Sequence, residues 1–202
     1  MLRTRVRKSL GHIGQALRQP EDFAVAWHHQ NANYSWSVFA ALGCTAILGT
    51  TTYGLVMGMP HGVREMLTDA QRFTLGAGIA WCLPLPALYI LNSLSGSRLK
   101  PSTTLLAALV TTSWGGLAMM AAIPIAWFFT LAIPHPAMVL TVHLAVFSVV
   151  GVAMIDVFSR VMARLEPQRG RAPAWWLLLV GVLGSELFYA LGLIDLSFLF
   201  RM

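Results

Sequence analysis

The chain has 202 residues, of which 56% are hydrophobic and 11% are charged, whereas soluble domains have roughly 45–50% and 25%. So little charge cannot coat a soluble surface, and this composition also excludes a disordered chain, a collagen and a disulfide scaffold. Charged residues are absent from residues 23–63, 73–97 and 101–155, which are stretches of 41, 25 and 55 residues. A bilayer-spanning helix needs about 20 residues. The sequence therefore predicts an all-α polytopic membrane protein.

The first 30 residues form a basic arm that precedes a predicted membrane domain of residues 31–202. Apolar residues recur in the arm every three or four positions, between flanking basic residues, which is typical of an amphipathic helix. They are Leu2, Val6, Leu10, Ile13 and Leu17. We expect this helix to lie on anionic lipid, and docking on a partner protein is the alternative. After Pro20, residues 21–29 predict a second short interfacial helix containing Phe23 and Trp27.

The membrane domain begins with two predicted spans, at residues 35–57 and 73–94. Tyr34 and Trp36 lie at the start of the first span, as aromatic anchors do at a membrane interface. The second span contains Pro84 and Pro86 near its middle, and two prolines remove two backbone donors. We expect the helix to kink or break there, as a structural feature or, alternatively, as a transporter binding site.

Three further spans follow. One helix of 55 residues would be about 80 Å long, so the third charge-free stretch must hold two spans. Pro134, His135 and Pro136 divide it into residues 103–133, which are expected to tilt or bend at Pro124, and residues 137–158. A fifth span at residues 175–194 follows a polar loop, so the prediction is a five-helix bundle with its termini on opposite sides.

Basic residues predict the orientation of this bundle. Eleven of the fourteen Lys and Arg residues fall in the arm, in the loop after span two or in the loop after span four. Because such residues are retained in the cytoplasm, the N-terminus is predicted inside and the C-terminus outside. No cleavage site is evident before the first span, so we expect an uncleaved anchor and a multi-pass protein of a bacterial inner membrane.

Two ionisable residues lie deep in the predicted spans. Glu186 lies about 16 Å from the cytoplasmic end of span five, and His143 about 9 Å from the outer end of span four. An ionisable group in lipid marks either a structural hydrogen bond or a functional site. The two side chains are at similar depths, so we hypothesise that they pair, with a proton or cation relay as the alternative role of Glu186 and haem ligation as that of His143.

The other polar candidates have structural interpretations. Asp156 precedes Arg160 by four residues, which predicts an ion pair on one helix face at the membrane boundary. His28 and His29 are adjacent, so their rings are expected to point apart, to water or lipid, rather than to bind metal. Cys44 and Cys82 fall inside spans, where a thiol is usually a small hydrophobe.

Small residues predict where the spans pack closely, because they let helices approach in a bilayer. These residues are Gly54 and Gly58 in span one, Gly76 and Gly78 in span two, and Ala107, Thr111 and Gly115 in span three. The chain has no nucleotide-binding glycine loop, no His-Glu-x-x-His and no Gly-x-Ser-x-Gly, so we predict no catalytic residues, metal or cofactor.

Residues 84–99, with the sequence PLPALYILNSLSGSRL, resemble a segment of small bacterial membrane proteins. Those proteins are related in architecture to the Yip family of five-span proteins, which share an inside N-terminus and an outside C-terminus. The resemblance implies a helical bundle without known catalysis, and eukaryotic members are linked to partner proteins in membrane traffic. The resemblance carries over no functional residue, and the basic arm is much shorter than a cytosolic recognition domain.

These observations favour a non-enzymatic accessory or scaffolding subunit of a larger inner-membrane complex. Its expected partners are anionic lipids, through the N-terminal helix, and other membrane subunits, but not nucleic acid. One alternative is a small transporter or an ion- or proton-conducting protein that uses the proline break, His143 and Glu186. The other is a haem- or quinone-associated subunit of an electron-transfer complex, which a visible-range spectrum tests.

Overall fold

The computed structural model describes residues 14–29, 36–133, 135–169 and 175–193, and all regular elements in these ranges are helical. Residues 14–18 are helical, and seven longer helices follow. They are α1 (Pro20–His28), α2 (Trp36–Gly58), α3 (Val63–Cys82), α4 (Pro84–Leu94), α5 (Pro101–Ala132), α6 (Pro136–Leu165) and α7 (Trp175–Ala190). The all-α prediction is confirmed. Most of the stripe predicted for the arm lies outside the described residues.

Within the described residues, four helical segments are long and apolar enough to cross a membrane, which gives the chain the character of a multi-pass membrane protein. They are Trp36–His61, Val63–Leu94, Pro101–Ala132 and Pro136–Leu165. Each overlaps one of the first four predicted spans, and the two sets differ by one residue at the start of the first and at the end of the third. Short turns join α2 to α3 and α5 to α6, so each pair packs as antiparallel neighbours.

Two of these helices extend beyond the predicted spans. Helix α3 begins at Val63, ten residues before the predicted start, so Arg64 and Arg72 lie on a helix and not in a loop. Helix α6 continues to Leu165, past the predicted end at residue 158. Charge marks where a helix leaves the hydrocarbon, but it does not end the helix. Helix α3 starts instead after Gly62, whose φ of 103° favours glycine.

The fifth predicted span corresponds to α7, which is shorter than the sequence suggested. It has 16 residues, or about 24 Å at helical rise, whereas a span needs about 20 residues. It ends at Ala190 because Gly192 adopts a φ of 71° and two backbone bonds close the helix end. These bonds join Leu193 N to Phe188 O at 2.9 Å and Gly192 N to Tyr189 O at 3.0 Å. The helix exists, but a fifth crossing is not shown.

The proline break is confirmed. Helix α3 ends at Cys82 and α4 begins at Pro84, with Leu83 between them. Leu83 keeps helical dihedral angles, and its N–H bonds to Ile79 O at 2.9 Å, so the segment is interrupted without forming a loop. Pro124 lies inside α5, which remains helical through it.

Helices α2 and α5 form the most extensive contact in the bundle, and two glycines allow it. A Cβ atom on Gly49 would overlap the backbone of Gly116, and one on Gly116 would lie 2.8 Å from Thr45 O. One turn away, the buried Ser113 hydroxyl donates to Leu42 O at 2.6 Å. Backbone thus meets backbone at this crossing.

Several of the small residues singled out in the sequence also lie at helix contacts. Gly54 and Gly58 face α3, where added Cβ atoms would lie 2.7 Å from Ala70 Cα and 2.6 Å from Met66 Cα. Ala107, Thr111 and Gly115 are buried, and Gly115 faces Met154 of α6. Gly76 faces α7, whereas a Cβ on Gly78 would meet nothing within 4 Å.

Helix α1 packs on the bundle through α5 and α6. Phe23 is fully buried in a cluster with Ala16, Val38, Leu42 and other core residues, and the neighbouring Ala24 is fully buried against α6. The second short helix is therefore confirmed, and its apolar side contacts protein.

Candidate functional site

Tyr53 and His143 form a buried polar pair inside the bundle. Tyr53 comes from α2 and His143 from α6, and their exposed fractions are 0% and 5%. The hydroxyl oxygen of Tyr53 lies 2.9 Å from Nδ1 of His143, which is a hydrogen-bond distance. His143, for which the sequence suggested Glu186 as a partner, is therefore paired with a residue of span one.

Aromatic rings surround this pair. Tyr53 lies 5.7 Å from both Phe73 and Phe147, measured between ring centroids. Phe73 stacks on Phe147 at 5.3 Å, and Phe188 of α7 lies 5.1 Å from Phe73. Four helices thus contribute rings to one cluster, and these apolar neighbours leave the two polar groups dependent on each other.

The second ring nitrogen of His143 has no such partner. Nε2 is buried and makes no hydrogen bond in the part of the chain that the structure describes. If Tyr53 donates to Nδ1, Nε2 carries the proton; if Nδ1–H donates to Tyr53, Nε2 carries a lone pair. Either tautomer leaves one hydrogen-bonding position on the imidazole for a water molecule, a proton or a ligand.

Glu186 does not pair with His143, so that hypothesis is wrong. Nδ1 of His143 contacts Tyr53, Nε2 has no described partner, and Glu186 is exposed on α7. Phe188, two residues further along α7, points at α3 and α6. Because positions two apart on a helix differ by about 200°, Glu186 lies on the opposite face. The pairing was predicted because the two side chains lie at similar depths, but Glu186 faces away from His143 on its helix.

The contacts of α7 define the depth of Glu186. Gly184 faces Ala80, and Phe188 lies against Gly76. Gly76 and Ala80 lie in the apolar part of α3, four and eight residues past Arg72. Glu186 therefore lies between these two contacts, within the apolar part of the bundle, and faces away from α3.

The Asp156–Arg160 ion pair is confirmed, with Arg160 Nε 2.9 Å from Asp156 Oδ2. Arg160 also donates from Nη1 to Glu21 of α1 at 2.6 Å. Glu21 was not singled out in the sequence, since a contact 139 residues away leaves no periodic signal. Arg160 therefore ties α1 to α6 at their polar end.

A second polar contact at that end joins the loop after α4 to the end of α6. The Ser97 hydroxyl is 2.9 Å from both oxygens of Glu166, and Arg98 N is 3.1 Å from Oε1. Gly96, with a φ of 87°, reverses the chain after α4 so that Ser97 faces α6. Sequence reasoning missed this contact because Glu166 lay in a stretch assigned to a polar loop.

We expected the rings of His28 and His29 to point apart, and this prediction is wrong. Their ring centroids are 5.2 Å from each other. His29 follows the last residue of α1. Partial burial, the neighbouring His29 and Lys100 lower the pKa of His28, while Glu166 opposes the shift. His28 Nδ1 is buried without a partner among the described residues.

The other metal and thiol candidates do not converge. Among the described residues, no three His, Cys, Asp or Glu side chains are placed to hold a metal ion. Cys44 and Cys82 are free and exposed. The membrane-embedded candidates are therefore the Tyr53–His143 pair and Glu186.

Comparisons of the chain with protein-family models, with curated proteins and with solved structures give no match. The resemblance of residues 84–99 to Yip-related proteins therefore rests on the sequence alone.

Proposed function

We propose that this chain is a non-enzymatic accessory or scaffolding subunit of a larger complex in a bacterial inner membrane. The observation that carries the proposal is Glu186, a carboxyl group on the outward side of α7 within the apolar part of the bundle. Intramembrane acids usually face the interior of a bundle or a water-filled cavity. We infer that another protein covers a helix face that presents such an acid outward.

Leaving the carboxyl group of Glu186 in contact with lipid costs free energy. Insertion of an aspartate at the centre of a spanning helix costs about 2.5–3.5 kcal/mol, and glutamate has the same charged group. The neighbouring residues Val182 and Tyr189 are exposed as well. Among the described residues, neither forms a hydrogen bond with Glu186 that would offset this cost. A neighbouring subunit that hydrogen-bonds Glu186 removes the penalty, and this makes assembly favourable.

The distribution of basic residues supports the N-inside orientation that we propose. The Glu21–Arg160 and Ser97–Glu166 contacts bring α1, the loop after α4 and the end of α6 together at one end of the bundle. Arg98, Lys100 and Arg164 are exposed there. These are three of the eleven basic residues assigned to the cytoplasmic side. An end with this charge also favours contact with anionic lipid.

Extraction of the chain in native-lipid particles tests the proposal. We expect a particle whose protein mass exceeds one chain, and we expect Glu186→Leu to release the chain as a monomer. Asp156→Asn is the matched control, because it removes an exposed acid that already has a partner within the chain. A wild-type chain that extracts as a monomer would overturn the proposal.

A second candidate function, proton or ion movement, is favoured by one observation, the free position on the imidazole of His143. Proton uptake into vesicles containing the purified chain tests it. If the Tyr53–His143 pair carries protons, Tyr53→Phe and His143→Leu each abolish uptake, whereas Tyr89→Phe in α4 does not. Uptake that is unchanged in both variants would exclude this role for the pair.

A further inference from the structure

Helix α1 is attached to the bundle differently at its two ends. Near its start, Phe23 is fully buried and Glu21 accepts a hydrogen bond from Arg160 of α6. At its end, the rings of His28 and His29 lie side by side, with their centroids 5.2 Å apart. Among the described residues, no ion pair holds this end. The last turn of α1 therefore depends on an imidazole where the first turn has an ion pair.

The imidazole of His28 is only partly exposed. Its Nδ1 atom is buried and has no hydrogen-bond partner among the described residues. In a neutral ring this atom carries a lone pair when the proton is on Nε2, whereas protonation places a positively charged N–H there. A buried charged donor without a partner costs more free energy than a buried lone pair. Protonation of His28 is therefore unfavourable while α1 is attached.

Charged and titratable groups from three parts of the chain act on His28. His29 at the end of α1 and Lys100 before α5 disfavour a positive imidazole, whereas Glu166 after α6 favours it. The Glu166 carboxylate also accepts a hydrogen bond from the Ser97 hydroxyl. Burial has the largest effect, and it lowers the pKa of His28 from its ordinary value of 6.5.

Acid therefore opposes the attachment of α1. Once α1 leaves the bundle, His28 is in water and its pKa returns to the ordinary value, so the detached state binds the proton more strongly. Well above pH 6.5 the ring is neutral in both states, and attachment is strongest. Attachment weakens as the pH falls below this value. The other charged groups along the contact lie toward the first turn of α1, and they are Glu21, Asp22, Asp156 and Arg160.

We propose that the attachment of α1 is an acid-sensitive switch, in which protonation of His28 releases the last turn of this helix from α5 and α6. His29 and Lys100 contribute to the direction of the response, because they repel a charged imidazole. The inference goes beyond the proposed function, since it concerns the polar end of the bundle and not the outward side of α7.

Amide exchange of the full chain in phosphatidylcholine nanodiscs tests the switch. A nine-residue helix is marginal by itself, so the amides of α1 exchange when it leaves the bundle. Protection factors, which correct for the intrinsic effect of pH on exchange, are compared at about pH 7.5 and about pH 5.5, on either side of the ordinary histidine pKa. We expect lower protection of residues 24–28 at the lower pH. Equal protection at the two pH values would overturn the inference.

Two histidine variants assign the response. His28→Gln keeps a polar side chain without a titratable ring, so the protection of α1 should become the same at both pH values. His61→Gln is the matched control, because His61 lies between α2 and α3, away from α1, and the response should remain. A response of wild-type size in His28→Gln would overturn the inference.

Two cation variants test the arrangement of charges. Lys100→Gln removes a cation that opposes the protonation of His28, so it should reduce the loss of protection in acid. Arg98→Gln is its control, because Arg98 is also exposed and basic, and its hydrogen bond to Glu166 comes from the backbone N–H. If Lys100→Gln reduces the response no more than Arg98→Gln does, the proposed role of Lys100 is wrong.

Discussion

The interior of the bundle and the outward side of α7 each contain a polar side chain within the apolar part of a helix, but the two side chains face in opposite directions. In the interior, His143 is paired with Tyr53 and enclosed by rings from four helices. On α7, Glu186 lies at a similar depth but faces outward. The difference follows from packing, because α6 has neighbours on several sides whereas α7 packs mainly on α3.

Under the proposed function, this contrast separates the polar groups that serve the fold from the one that serves assembly. A group that two helices of one chain satisfy contributes to the stability of that chain. Under the proposed function, a polar group on the outward side of a helix is the one that a partner satisfies. Three predictions test the contrast within the monomer.

The largest effect is expected at the α2–α5 crossing. Gly49→Ala adds a Cβ that overlaps the backbone of Gly116, and two backbones cannot relax as a side chain can. We expect a loss of about 3 kcal/mol or more in unfolding free energy, at the upper end of the range for overpacked cores. Denaturation of the purified chain in detergent micelles measures it.

Two glycines serve as controls for that substitution. A Cβ at Gly43 on α2 or at Gly181 on α7 meets nothing within 4 Å. Alanine there should leave stability unchanged or raise it by up to about 1 kcal/mol, since alanine favours helix over glycine. If Gly49→Ala changes the unfolding free energy as little as Gly43→Ala does, α2 and α5 do not cross as closely as described.

An intermediate effect is expected at the Tyr53–His143 pair. Tyr53→Phe leaves both nitrogens of a buried imidazole without a described partner, which costs about 1–3 kcal/mol. His143→Leu similarly leaves the Tyr53 hydroxyl without its partner. The double variant should cost clearly less than the sum of the single variants, because it leaves neither polar group buried. Unfolding free energies of the four proteins complete the cycle, and strictly additive losses would contradict mutual dependence.

The smallest effect is expected at the polar end, where water already solvates the groups. Glu21→Gln removes the ion pair between α1 and Arg160 and should cost about 1 kcal/mol or less. The loss should shrink further at high salt, because exposed charges are screened. Amide exchange of α1 at low and high salt measures the attachment of this helix. Arg72→Gln, which removes a pair within α3, should leave α1 exchange unchanged.

Much of the helical plan could be predicted from the chain itself. Charge-free stretches of sufficient length indicated the four long apolar helices. Pro84 and Pro86 lack backbone donors in any environment, so the break between α3 and α4 could also be predicted. Asp156 and Arg160 met as expected because their contact is local. Helix ends were harder to place: Arg64 and Arg72 marked the edge of apolar sequence and not the end of α3.

The partners of the membrane-embedded polar groups required tertiary structure. Sequence gives depth along a helix, and this identified Glu186 and His143 as the groups that need explanation. It does not give the direction in which each helix is turned, because an apolar helix in a bilayer has no polar face to reveal it. Packing turned Phe188 inward and Glu186 outward, and it brought Tyr53 to His143 across 90 residues of chain.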